Sequence, residues 1–151
     1  MQQLTPILSL LIRLFVGGYF IYAAIPKITE PLAFATSIAN YGLVPSFAVN
    51  AMALVLPWLE LICAIGLMVG WRTRMNAAFC AGMLAVFTIA VSYAVVLGLK
   101  IDCGCFGSSG GDEVSWLKVG KNTLMLLGLL FVYRYPASPV ALDGGRKGAA
   151  A

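Results

Sequence analysis

The sequence predicts an all-α integral membrane protein: a bundle of four transmembrane helices, with a short interfacial amphipathic helix between the first two spans. Three observations predict it. Apolar residues make up 61% of the 151-residue chain and charged residues only 11%, against about 45–50% and about 25% in soluble domains. The mean hydropathy is +0.93, which excludes an ordinary cytosolic enzyme, a disordered chain and a nucleic-acid binder. The apolar residues also fall into four runs, each near the roughly 20 helical residues needed to cross a hydrocarbon core.

The first run is 7–25, bounded by Pro6 and Pro26 and carrying one charge, Arg13. No Lys or Arg precedes it, so it reads as a retained transmembrane helix rather than a cleaved signal peptide. In 29–42, Phe34, Ile38 and Tyr41 recur at helical spacing, with Thr36, Ser37 and Asn40 on the other side. That pattern predicts the amphipathic helix lying in the membrane interface. The second span, 47–70, contains Pro57 and Glu60 and ends on Gly66 and Gly70, a small-residue pair that permits close helix approach. The third span is 75–99 and the fourth 117–135, joined by a loop at 101–116. Residues 1–135 form the transmembrane domain, and 136–151, rich in Ala, Gly and Pro, read as a flexible tail.

Basic residues near helix ends set the expected orientation. Arg72, Arg74, Arg134, Arg146 and Lys147 lie on one side, against Asp143. On the other, Lys27, Lys100, Lys118 and Lys121 balance Glu30, Asp102, Asp112 and Glu113. The first side is expected to be cytoplasmic, with both termini inside. The 101–116 loop is then external to a bacterial cytoplasmic (inner) membrane, facing the periplasm in a Gram-negative cell.

That loop reads Asp102-Cys103-Gly104-Cys105-Phe106-Gly107. Its expected compartment is one in which disulfides persist. Two cysteines one residue apart can bond only through a very small ring, which departs from relaxed disulfide geometry and is easier to reduce. Gly104 widens the accessible backbone angles and permits closure. Such a local bridge removes little chain entropy, so it is a poor staple. Redox exchange, a structural turn and a metal contact all remain open for Cys103 and Cys105. The metal is the weakest, because a closed zinc site needs four ligands and the chain contains no His. Lys121 and Asn122, near the outer end of the fourth span, are expected close to this loop.

Inside the spans, Cys63 and Cys80 read as small core residues. Arg13 and Glu60 are ionisable groups in hydrocarbon, and such groups face the bundle and find partners. Counted from the cytoplasmic ends they lie at roughly 10 and roughly 15 Å depth, which predicts an Arg13–Glu60 ion pair. It would serve either to fix helix register or as a proton-handling, quinone-adjacent site. Pro57 adds to the polar patch by leaving the Ala53 carbonyl without its helical donor. Lys27 is expected to snorkel to the interface. Trp58, Trp71, Trp116, Tyr93, Tyr133 and Tyr135 read as membrane-belt anchors or core.

From Arg13 to about Leu130, the chain resembles the methylamine utilisation protein MauE group within the broader DoxX-like membrane proteins. The resemblance is carried by Arg13 with Gly17, Lys27, the Phe34–Tyr41 segment closing at Pro45, and Pro57-Trp58-Leu59-Glu60 with Gly66 and Gly70. It continues through Asp102-Cys103-Gly104-Cys105-Phe106-Gly107, Ser115-Trp116 and Lys121-Asn122, where the family more often has Arg-Asn. It implies a four-helix membrane protein associated with redox maturation of a periplasmic dehydrogenase subunit, alongside a thioredoxin-like partner. DoxX relatives imply electron delivery to a membrane quinone.

The expected function is a membrane thiol–disulfide carrier. Cys103 and Cys105 would exchange electrons with a periplasmic thioredoxin-like protein, supported by Gly104, Phe106, Gly107, Lys121 and Asn122, with a membrane quinone as the other redox partner. The competing expectation is a non-catalytic anchor or assembly subunit of a periplasmic oxidoreductase. A small-solute transporter fits less well, because the chain shows no inverted repeat.

Overall fold

The computed structural model describes residues 4–99, 101 and 114–136. All regular structure in them is helical, in the order α1 (Leu4–Thr29), α2 (Pro31–Asn40), α3 (Ser46–Val69), α4 (Thr73–Val96) and α5 (Trp116–Arg134). Among the described residues, α1, α3 and α4 are the helices long and apolar enough to cross a membrane. The loop residues Cys103, Gly104, Cys105, Phe106 and Gly107 and the tail beyond Pro136 lie outside the described residues.

The first helix differs from its expected limits at both ends. Pro6 falls in its first turn, where a missing N–H costs nothing, so the helix starts at Leu4. Pro26 does not end it either: the helix runs on to Thr29, and the Pro26 carbonyl still accepts from the Glu30 N–H at 2.9 Å. Pro31 then starts α2 at its first position. This extra turn of α1 keeps Lys27 helical, on the same stripe as Arg13, Gly17, Phe20 and Ala24, all of them buried.

Helix α3 ends where Gly70 adopts a left-handed conformation at φ 78°. The N–H groups of Gly70 and Trp71 both donate to the Gly66 carbonyl, at 3.0 Å each, a Schellman-type ending. Arg72, also at positive φ, then turns the chain into α4. Gly66 is needed there because a Cβ would run into the Asn76 side chain, whose amide donates to the Trp71 carbonyl. Gly17 does the same for α1 against α3, since a Cβ at Gly17 would meet Met68 and press on the Ala64 carbonyl.

The core runs along the contacts of α1 with α3 and of α4 with α5. Val16, Phe20, Ala64, Leu67, Ala77, Leu84, Met125 and Leu129 form one buried cluster, and the free thiols of Cys63 and Cys80 sit within it. At one end of the bundle, Ser9 Oγ donates to the Tyr135 carbonyl at 2.9 Å, joining the start of α1 to the end of α5 beside the α3–α4 turn. At the other end, Tyr41, Val91 and Ala94 pack with Ile101 and Val114. There the Val114 N–H donates to the Ile101 carbonyl at 3.2 Å, so the two stems of the 102–113 connection are held together. Outward faces carry Phe15, Ile62, Phe79, Val86 and Ile89, each more than half exposed. In water such a surface would aggregate; in lipid it is solvated.

Of the two faces read in 29–42, Phe34, Tyr41 and also Ser37 are buried, while Ile38 is half-buried. The buried Ser37 hydroxyl is satisfied by donating to the Ala33 carbonyl at 3.1 Å.

Gly66→Ala should lower stability in detergent by about 1–3 kcal/mol of overpacking, read as a lower thermal midpoint. Gly82→Ala, where a Cβ meets nothing within 4 Å, should leave it unchanged or raise it by up to about 1 kcal/mol of helix propensity. Circular dichroism melts of both variants check the contrast.

Candidate functional site

Burying a carboxylate among apolar helices forces it to find a cation. The carboxylate is Glu60, and its partner is Lys27, not Arg13. Lys27 Nζ donates to Glu60 Oε1 at 3.0 Å and to Oε2 at 2.9 Å. The two side chains keep only 6% and 17% of their exposure. Lys27 therefore does not reach out to the membrane interface. Its ammonium also lies 5.2 Å from the centre of the Phe34 ring, a cation–π distance.

Arg13 is fully buried and is used differently. Its Nε donates to the Leu67 carbonyl at 2.7 Å and its Nη2 to the Met68 carbonyl at 3.3 Å. The N–H that would serve Leu67 in a longer helix, that of Trp71, is turned back to Gly66. Arg13 thus covers carbonyls left open at the C-terminal end of α3, where the helix dipole also favours a cation.

Depth counting misjudged this pairing because helical side chains lean toward their own N-termini. In the antiparallel pair α1 and α3, that lean carries Arg13 toward the end of α3, away from Glu60. It brings Lys27 and Glu60 toward each other. Leu67 lies seven residues beyond Glu60, about 10 Å along the axis. The signal that could have found Lys27 was its spacing: fourteen residues after Arg13, two full heptads, it falls on the same helical face.

The ion pair stands between two cavities. One, of about 40 Å³, is lined by Tyr19, Phe20, Ala23, Lys27, Glu60, Met83, Leu84, Phe87 and Asn122. Asn122 is 5% exposed, and its Nδ2 has no hydrogen-bond partner among the described residues. Leaving such a donor unpaired costs about 1–3 kcal/mol. The cavity exceeds the roughly 10–15 Å³ that one water needs, so it has room for an acceptor oxygen.

The other cavity is a groove of about 700 Å³ between α2, α3 and α4, open at its side and almost wholly apolar. It shares Lys27, Glu60, Met83 and Phe87 with the small cavity as common walls. Tyr41 forms another part of its lining. Burial raises the phenol pKa of Tyr41, which lies outside the spanning helices, to about 12.

Of the residues singled out from sequence, Glu60 and Asn122 line the same small cavity, while Arg13 serves a separate place at the α3 end. Lys121 is exposed. Sequence reasoning missed Lys27 as the ion-pair partner and the groove itself. No group of His, Cys, Asp and Glu able to hold a metal ion occurs among the described residues.

Apolar helices pinned together by buried cations, with a charged pair at the base of a side-opening groove, define a helical membrane protein. Its class is then narrowed by likeness to known proteins. The family described as methylamine utilisation protein MauE matches residues 5–134, and the chain belongs to that family. It is 35% identical over 138 residues to the methylamine utilization protein MauE of Methylorubrum extorquens, covering 90% of this chain and 74% of that protein. The MauE of Paracoccus versutus is 37% identical over 151 residues, covering 96% and 78%. That of Methylophilus methylotrophus is 40% identical over 101 residues, covering 66% and 53%. No solved structure matches the chain.

Lys27→Met should destabilise the protein by about 3–5 kcal/mol, because it strands a buried carboxylate. Lys27→Met combined with Glu60→Met should recover most of that loss, since an apolar replacement of both partners is often neutral. Denaturation in detergent of the single and double variants measures the difference.

Proposed function

We propose that the protein is a membrane thiol–disulfide carrier that supports methylamine utilisation by maturing a periplasmic partner. In this reading α1, α3, α4 and α5 form a four-span bundle in the bacterial cytoplasmic membrane, and α2 lies in the interface. The termini are cytoplasmic, and the Cys103-Gly104-Cys105 stretch is external. Membership of the MauE family supports the biological setting. The orientation is supported by Arg72, Arg74 and Arg134 at the end of the bundle where Ser9 meets Tyr135, since basic residues stay inside.

The observation that carries the redox reading is the placement of the loop stems. Ile101, two residues before Cys103, and Val114 are tied by a backbone hydrogen bond at the opposite end. In this reading the Cys103–Cys105 pair would meet partners in a compartment that keeps disulfides oxidised.

The exchange balances as follows. A thiolate of a thioredoxin-like partner attacks the Cys103–Cys105 disulfide and forms a mixed disulfide, releasing one loop thiolate. The second partner thiolate then breaks the mixed disulfide. The partner leaves oxidised, and the loop keeps two thiols, having gained two electrons and two protons. Those electrons and protons pass to a membrane quinone as second substrate, which restores the disulfide and departs as quinol.

Replacing Cys103 and Cys105 together by Ser should reduce maturation of the disulfide-bearing partner to background, with membrane insertion unchanged. In intact cells an impermeant alkylating reagent should label the wild-type pair only after reduction. Normal maturation in the double variant would leave a non-catalytic anchor subunit in its place. Labelling that requires an opened membrane would reverse the orientation.

A further inference from the structure

A buried ion pair repays its desolvation only when the remaining protons and lone pairs also find partners. Lys27 has three N–H donors, of which Glu60 takes two. Each Glu60 oxygen accepts one of those bonds and has a lone pair to spare. Among the described residues neither side chain makes another hydrogen bond. Asn122 adds a third unmet need, since it is buried and its Nδ2 has no partner among the described residues. The three side chains come from α1, α3 and α5, and all three stand in the wall of the same small cavity.

Size and charge select what that cavity takes. Its volume of about 40 Å³ exceeds the roughly 10–15 Å³ that one water occupies. It lies far below the roughly 300 Å³ at which pockets for organic ligands begin. A lone ion is disfavoured, because Lys27 and Glu60 already neutralise each other at 2.9 Å and a further buried charge would be unpaired. An acyl chain would leave all three polar groups unmet. Water donates as well as accepts, so one molecule can accept from Lys27 or Asn122 and donate to Glu60. Two to four polar partners are what a buried water needs, and the wall supplies three.

We propose that the small cavity is an internal hydration site of the helix bundle, in which ordered water bridges Asn122 of α5 to the Lys27–Glu60 pair of α1 and α3. Its place gives it a mechanical role. Near the α3–α4 turn, α5 meets α1 directly: Ser9 Oγ donates to the Tyr135 carbonyl, and a Cβ at Gly128 would press on Ile12. Farther along both helices, at Lys27 and Asn122, the cavity lies between them, and water makes the polar link. The half of α5 that follows the Val114 stem is thus held to α1 and α3 through solvent. This site is independent of any electron exchange at Cys103 and Cys105.

Radiolytic footprinting of the full-length protein in lipid nanodiscs tests the site, because hydroxyl radicals formed from bound water oxidise the side chains beside it. Met83 lines the cavity, whereas Met52, half-buried like Met83, lines only the apolar groove. Met83 should be oxidised and Met52 should be spared. In Asn122→Leu, oxidation of Met83 should fall to the level of Met52. The same variant should lower the thermal midpoint, because it displaces water from a charged pair; in a dry cavity it would remove an unsatisfied donor and raise the midpoint. In the background of Lys27→Met with Glu60→Met, where water has lost its charged partners, Asn122→Leu should raise the midpoint. Three results would each overturn the proposal: Met83 oxidised no faster than Met52 in the unaltered protein, a midpoint raised by Asn122→Leu alone, or a change of the same sign in both backgrounds. The footprint is read on the unaltered protein, so it decides even where a variant does not fold.

Discussion

A charge placed between apolar helices is tolerable only if the protein rebuilds the solvation that lipid withholds, and this constraint organises the bundle. The stripe of α1 that faces α3 carries two cations, and each is met by a different kind of negative charge. Arg13 finds the partial charge of an open helix end, at the Leu67 and Met68 carbonyls. Lys27 finds a full charge, Glu60. Between them Gly17 lets the helices approach until only Met68 and the Ala64 backbone separate them. Because lipid tails are as apolar as leucine, burying leucine supplies little drive for helices to associate. Polar cross-links and close packing of small residues supply it instead.

The same arrangement explains why the groove lies where it does. Helix α3 is committed to α1 by these two contacts, and α4 is committed to α5. The two pairs meet tightly at the α3–α4 turn, around Gly66 and Asn76. Farther from that turn, α2 covers part of the space between them with Phe34 and Ile38, and the remainder is the groove. Its polar base is then a by-product of stabilising α1 against α3. One ion pair thereby ties α1 to α3 and forms part of the wall of that space.

Membership of the MauE family gives the molecule a setting, and the physics of its two polar features divides the proposed work. Exchange of disulfides belongs in water on the oxidising side, where the cysteine sequence is placed in our reading. The Lys27–Glu60 pair lies instead among the apolar helices. The stems at Ile101 and Val114 and the ring of Tyr41 join the two regions through a single packed cluster.

Much of this was legible in the sequence, for a physical reason. Hydrophobic runs of membrane length report directly on solvent, so the α1, α3 and α4 helices and the short break between the 47–70 and 75–99 spans could be read from composition and spacing. Gly70, by contrast, read as a packing residue and proved to be the left-handed end of α3. Proline was a weaker guide: Pro26 looked like a stop, yet α1 runs through it to Thr29, because neighbouring packing outweighs one lost hydrogen bond. That Glu60 must have a partner was also legible, since an isolated carboxylate in lipid is too costly. Which cation it takes was not. That choice depends on the antiparallel register of two helices and on the direction in which their side chains lean, quantities that no single segment contains. Asn122 was singled out for its place near a loop, and only the packing of α5 against the other helices put it in the wall of the cavity that Lys27 and Glu60 also line.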